Sequence, residues 1–80
     1  MEDVINFLKA NNFEQQKDDS EHFINNACSV RLEPDHYVVA NSNGDTMYSS
    51  GLDIYWLIGV LTYYGYIDKN YKQINYLRWK

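Results

Sequence analysis

The histidines, the single cysteine and a neighbouring aspartate are the candidate metal ligands in this sequence: His22, Cys28, Asp35 and His36. Zinc sites typically use close pairs, such as Cys-x-x-Cys or two histidines separated by about three to five residues. The four residues follow neither pattern. We therefore expect them to be ordinary strand and turn residues, with no metal and no cofactor.

The candidates for catalysis are equally weak. Asp18, Asp19 and Glu21 form a carboxylate cluster, but they lie in the most polar stretch of the chain. Acid–base catalysis needs a shaped, partly dry pocket that separates the pKa values of its groups. Cys28 or Ser29 would need a neighbouring base to act as a nucleophile, and no motif marks one. Glycine-rich nucleotide-binding motifs do not occur. The sequence favours a protein that is not an enzyme and has no small-molecule substrate.

The C-terminal segment, residues 68–80, combines positive charge with aromatic rings. Residues 1–67 hold ten acids and three bases, a net −7, whereas residues 68–80 hold one acid and four bases, a net +3. Lysine and arginine side chains can contact phosphate groups, while aromatic rings stack on the nucleobases of a single strand. The residues that would contact nucleic acid are Lys69, Tyr71, Lys72, Tyr76, Arg78 and Trp79. The alternative, which the net charge of −4 favours, is a tail that packs on its own acidic body.

Tyrosine is unusually frequent, with eight in eighty residues. Its large contact area, polar tip and small entropy loss make it a typical interface residue. The alternative is a tyrosine-rich core whose hydroxyls reach the surface. Residues 51–64, which we predict to be helical, contain only Asp53 and Thr62 as distinctly polar side chains. A helix that is apolar all round is normally buried all round.

A chain of eighty residues has a thin core and cannot easily cover such a helix alone. We therefore expect a protein interface on this segment. The interface residues would be Tyr55, Trp56, Tyr63, Tyr64 and Tyr66.

Turn and cap residues predict the elements that position these side chains. Residues 2–11 read as a helix that stops at Asn11-Asn12, because asparagine tolerates the left-handed conformation. Residues 30–33 alternate apolar and polar, which is typical of a half-buried strand. Residues 37–40 form a second strand, and Asn43-Gly44 indicates a hairpin that leads into a third at residues 46–48.

The path of residues 13–27 is left open. The polar stretch between Phe13 and Phe23 reads as a loop or an exposed hairpin, and the meander has four strands if part of residues 13–26 joins it. Ser50 is the expected N-cap of the last helix, with Asp53 completing an approximate capping box. Gly65 is the expected stop, with the N–H of Tyr66 bonding the carbonyl of Leu61.

Residues 46–72, TMYSSGLDIYWLIGVLTYYGYIDKNYK, resemble a stretch found in small proteins of bacterial phages and integrative elements. The resemblance covers about a third of the chain and brings no catalytic motif, so no functional residue is carried over. It implies a compact, acidic, cytoplasmic protein that binds a host or defence protein and alters its activity. Some CRISPR inhibitors fit that description. With 22% charged residues, the chain lacks the dense negative charge expected of a strong DNA mimic.

The sequence thus predicts one α+β domain over residues 1–80, with a basic aromatic tail at 68–80. Its parts are an N-terminal helix, an antiparallel meander of three or four strands and a long apolar helix packed on the sheet. The single cysteine and the lack of a signal or membrane-spanning segment predict a cytoplasmic protein that does not contact the membrane. We expect a protein partner, either a second copy that forms a homodimer or a host protein, with nucleic acid as the alternative.

Overall fold

The computed structural model describes residues 2–68. Five strands in this part of the chain form one antiparallel sheet in sequence order, β1-β2-β3-β4-β5, so that β1 and β5 are the edges. The elements are α1 (Glu2–Ala10), β1 (Glu14–Gln15), β2 (His22–Ile24), β3 (Cys28–Leu32), β4 (Tyr37–Asn41), β5 (Thr46–Tyr48) and α2 (Ile54–Tyr63). The predicted α+β class, N-terminal helix and antiparallel meander are confirmed, with five strands instead of three or four.

The sheet buries one face against the helices. Phe23, Val30 and Val39 are paired neighbours on β2, β3 and β4, and all three are fully buried. Residues of both helices belong to the same core, for instance Phe7 of α1 and Leu57 of α2. Residues of the opposite face stay partly or fully exposed, as is common for antiparallel sheets.

Both helices end in the same motif. Asn12 has φ +71°, and the N–H of Phe13 donates to the carbonyl of Leu8 over 3.0 Å. Gly65 has φ +74°, and the N–H of Tyr66 donates to the carbonyl of Leu61 over 2.8 Å. This bond across the helix end, with a left-handed residue inside it, defines the Schellman motif. Both predicted stops are therefore confirmed.

The hairpin predicted at Asn43-Gly44 is present, but with a longer loop than the two-residue turn. Gly44 has φ +89°, whereas Asn43 is not in the left-handed region. The N–H of Asn41 donates to the carbonyl of Asp45, which leaves three residues in the loop. The Asn41 side chain explains the difference, because its Oδ1 accepts the N–H groups of both Asn43 and Asp45. This is a three-residue loop with glycine at the left-handed position.

The last helix is shorter than predicted. It spans ten residues, Ile54–Tyr63, and its N-cap is Asp53, whose Oδ1 accepts the N–H of Tyr55 over 2.9 Å. The predicted N-cap, Ser50, lies outside the helix. The hydroxyl of Ser49 accepts the N–H of Tyr37 and donates to the carbonyl of Gly51, both over 2.7 Å, which holds the chain against β4 and delays the helix start. The prediction of a long helix is therefore wrong.

Across residues 2–68, none of the helices has the length and apolar character needed to cross a membrane.

Candidate protein-binding surface

Large exposed apolar side chains of residues 2–68 are concentrated on α2, the loop before it and β5. Tyr63 is 81% exposed and Tyr48 is 65% exposed. Leu52, Tyr55 and Tyr64 are also exposed in the same region. Outside this region, within the described residues, only Ile24 on the open face of the sheet belongs to this class. Apolar exposure is thus clustered, which is typical of interaction sites.

The helix α2 has two apolar faces with different surroundings. Leu57, Ile58 and Leu61 are buried in the core. Tyr55 and Tyr63 are exposed, and their spacing of eight residues puts them on one stripe of the helix. Both faces carry apolar side chains, but the protein's own core covers one of them.

Three tyrosines at the C-terminal end of α2 form a continuous aromatic cluster. The rings of Tyr63 and Tyr64 meet edge to face with centroids 4.9 Å apart, and those of Tyr64 and Tyr66 stack at 5.7 Å. Two hydrogen bonds hold Tyr66. The Nδ2 of Asn41 donates to its hydroxyl over 3.2 Å, and the Nδ2 of Asn25 donates to its backbone carbonyl over 3.0 Å. Tyr64 packs on Tyr66, which these two bonds hold, and Tyr63 packs on Tyr64.

An open groove of about 450 Å³ lies between β5 and α2. Met47 faces the core side of the sheet and Tyr48 the other side, and both line the groove. The groove therefore follows the edge of β5 that pairs with no other strand of residues 2–68. The lining residues are Met47, Tyr48, Trp56, Gly59, Val60, Tyr63 and Tyr64.

The structure brings most of the predicted interface residues together. Trp56, Tyr63 and Tyr64 line the groove, and Tyr66 joins them by stacking on Tyr64. Tyr55 is exposed on α2 but does not line the groove. Sequence reasoning missed the contribution of β5, although the lack of charge in Thr46–Tyr48 was a readable signal for a strand edge open to pairing.

Several of the side chains considered for catalysis and metal binding are either buried or hydrogen-bonded to other side chains of the protein. Cys28 is buried, and burial raises the pKa of its thiol to about 12, so the thiolate needed for nucleophilic attack is disfavoured. A side-chain hydrogen bond to Arg31 holds the pKa of Asp19 below its usual value. The hydrogen bond between His36 Nδ1 and Asp35 Oδ1, 2.7 Å long, lowers the pKa of Asp35. Residues 2–68 contain no group of three side chains suited to a metal ion.

A second hollow, of about 360 Å³, lies where the ends of both helices approach the β2–β3 turn. Asn25 is one of the polar side chains that line this hollow. Its Oδ1 accepts the N–H groups of Ala27 and Cys28, and its Nδ2 donates to Tyr66. These bonds assign the side chain to holding the turn and the helix end together.

The residues expected to contact nucleic acid, Lys69, Tyr71, Lys72, Tyr76, Arg78 and Trp79, lie outside the described residues.

Comparison of the chain with protein-family models, with curated proteins and with solved structures gives no match.

Proposed function

We propose that this protein is a non-enzymatic binding module that holds a protein partner against the aromatic surface formed by α2 and β5. The observation that carries the proposal is the 81% exposure of Tyr63 within a cluster of contacting aromatic rings. When a partner covers an exposed ring, the removal of apolar surface from water lowers the free energy of the complex. A ring that its neighbours already order loses little entropy on binding.

The composition of the surface supports a protein partner. Aromatic residues are enriched in the centres of protein interfaces, and charged residues are depleted there. The groove lining contains three tyrosines, one tryptophan and one methionine and has no charged side chain. The described residues carry eleven acidic and three basic side chains, a net −8, which disfavours nucleic acid as the ligand of this surface.

We further propose that the partner is a host or defence protein whose activity changes on binding. The resemblance of residues 46–72 to proteins of phages and integrative elements supports this partner class. A second copy of the chain is the other partner that the same surface fits, and a homodimer would bury the exposed rings in the same way.

The test is affinity capture from a native host lysate with the full chain and two matched variants. Replacing Tyr63 and Tyr64 by serine removes two exposed rings, and we expect loss of the captured protein and of any self-association seen by analytical ultracentrifugation. Replacing Ile24 by serine removes an exposed apolar side chain from the open face of the sheet, 39% exposed, and should leave capture unchanged.

Equal capture by the wild type and the Tyr63→Ser, Tyr64→Ser variant would refute the proposal. A wild-type chain that captures nothing and stays monomeric would refute it as well. Capture of oligonucleotides that weakens as salt rises would point instead to the nucleic-acid alternative.

A further inference from the structure

The register of β5 shows which backbone groups face outward at this edge of the sheet. The N–H of Ser49 donates to the carbonyl of Tyr37, and the N–H of Asn41 donates to the carbonyl of Asp45, so both flanking pairs are hydrogen-bonded pairs. Pairs alternate along an antiparallel ladder. Met47 therefore bonds Val39, while the N–H and C=O groups of Thr46 and Tyr48 point away from β4.

The two edges of the sheet differ in their protection. The β1 edge has two residues, one of them Glu14, and the charged residues Lys17, Asp18 and Asp19 follow closely. The β5 edge, Thr46–Tyr48, contains neither a charge nor a proline. Charges and prolines are the usual devices that stop a further strand from pairing. The β5 edge lacks both of them.

The groove between β5 and α2 adjoins this edge and would receive side chains from an added strand. In an extended segment alternate side chains point to the same face. One set would contact Trp56 and Val60 in the groove, and the other would lie beside Tyr48 on the open face.

Charge defines the composition of such a segment. Asp45 directly precedes β5 and Asp53 follows it after a short loop, and both are exposed. Among the described bases, Arg31 lies on the open face in the same row across the strands as Tyr48, and it forms a 2.6 Å ion pair with Asp19. An added strand with basic residues would complement the two exposed acids that flank β5 in the sequence.

We propose that the β5 edge and its groove bind an extended, basic segment of the partner protein, which pairs with β5 as a sixth strand. This deepens the proposed function and rests on it, because it specifies the part of the partner that the surface takes. Backbone hydrogen bonds to Thr46 and Tyr48 supply affinity, and the groove selects apolar side chains at alternate positions.

The probe is a synthetic peptide of about seven residues that alternates valine with lysine, titrated into the full chain and followed by NMR. Bound peptide should slow amide hydrogen exchange at Thr46 and Tyr48 by about tenfold or more, because these N–H groups gain acceptors. Exchange at Met47 should change less, since its N–H already bonds Val39. Two control peptides, one with glutamate for lysine and one with methylated central amides, should bind more weakly by about tenfold or more.

The matched protein variants are Thr46→Pro and Thr46→Val. Proline removes an outward N–H without removing a bond to β4, and edge strands tolerate it at such positions. We expect Thr46→Pro to bind the peptide about tenfold more weakly than Thr46→Val, because both variants lose the threonine hydroxyl and only proline loses the N–H. If Thr46→Pro fails to fold, the methylated peptide gives the same test on the unaltered protein.

Equal binding of the methylated and unmethylated peptides, or shifts confined to the open face around Ile24, would overturn the proposal. Protection of Thr46 and Tyr48 in the free protein would also overturn it: concentration-independent protection means that the chain's own segment fills the edge, and protection that grows with concentration means a second copy. If Tyr63→Ser, Tyr64→Ser loses a captured protein that Thr46→Pro retains, the binding function stands and strand addition fails.

Discussion

Gly65 shows how one residue fixes the end of α2. Its φ of +74° lies in the left-handed region, and a Cβ built there would meet no atom within 4 Å. The requirement for glycine is therefore one of backbone conformation and does not arise from crowding. Gly59 offers a matched comparison, because it also has open space around a Cβ but lies inside α2 with no positive φ.

We predict opposite effects for the same substitution at these two positions. Gly65→Ala should lower the free energy of unfolding by about 1 kcal/mol or more, because alanine disfavours the left-handed conformation. Gly59→Ala should raise it by about 0.5–1 kcal/mol, since alanine is the better helix former. Urea titration of both variants measures the difference, and equal effects would contradict the backbone explanation.

Cys28 is a second residue whose surroundings decide its chemistry. Burial raises the pKa of its thiol to about 12, so the folded protein keeps the thiol protonated near neutral pH. We predict that iodoacetamide at pH 8 modifies the folded protein far more slowly than the protein in urea, as measured by mass spectrometry. Equal rates in the two conditions would show that the thiol is accessible and ionisable.

The same raised pKa of Cys28 has a consequence for stability. The thiol ionises more readily in the unfolded chain than in the folded protein. Its contribution to the free energy of unfolding is therefore fully present below the pKa of the unfolded thiol, which is about 8.5. The contribution is lost progressively as the pH rises toward the folded pKa of about 12. A Cys28→Ala variant has no thiol to titrate, so it should lose less stability between about pH 9 and pH 11 than the wild type does, as measured by urea titration at each pH.

At the scale of the element, the start of α2 depends on one side chain. Asp53 caps the helix through the N–H of Tyr55, whereas Ser50 lies outside the helix and is exposed. We predict that Asp53→Ala lowers the free energy of unfolding by about 1 kcal/mol and that Ser50→Ala changes it by less than about 0.5 kcal/mol. Thermal and urea unfolding of the pair measure this, and the reverse order would return the cap to Ser50.

Substitutions on the two apolar faces of α2 should have different effects on the free energy of unfolding. Leu57 is fully buried, so Leu57→Ala should lower the free energy of unfolding by about 2–5 kcal/mol. Tyr63→Ala should change it by less than about 0.5 kcal/mol, because a surface substitution leaves little of the core disturbed. Comparable losses in the two variants would mean that the exposed face also stabilises the isolated chain.

The sequence predicted elements wherever a local signal was strong. Asn12, Gly44 and Gly65 each carry the left-handed conformation that their residue types suggested. The strands β1 and β2 were not separately predicted, because they have only two and three residues and Phe23 is their single buried side chain. The helix start was misplaced because serine and aspartate both cap well, and only the tertiary bonds of Ser49 decide between Ser50 and Asp53.

The candidate site was predictable in part for the same reason. The exposed stripe of α2 follows from helical spacing, which the sequence contains directly. The groove depends on where β5 lies relative to α2, and that arrangement comes from the packing of α2 residues such as Leu57 into the same core as Val39 of the sheet. No local pattern encodes which strand of a meander ends up beside the helix.

At the scale of the molecule, the sheet order predicts where stability concentrates. The strands β3 and β4 pair on both sides and carry the buried residues Val30 and Val39, whereas β1 and β5 pair on one side. We predict that amides of β3 and β4 exchange hydrogen most slowly and those of β1 and β5 most rapidly, as measured by NMR in the free protein. Uniform exchange across all five strands would indicate that the sheet opens only as a whole.

The unequal edges of the sheet also limit stoichiometry. A molecule that docks along β5 meets a sheet whose opposite margin, β1, presents only Glu14–Gln15 before a run of charges. A fibre grows by repeated addition only when each molecule can pair at both edges of its sheet. For the strand addition proposed at β5, we therefore expect assembly to stop after a single addition, as a one-to-one complex or a closed pair and not a growing fibre.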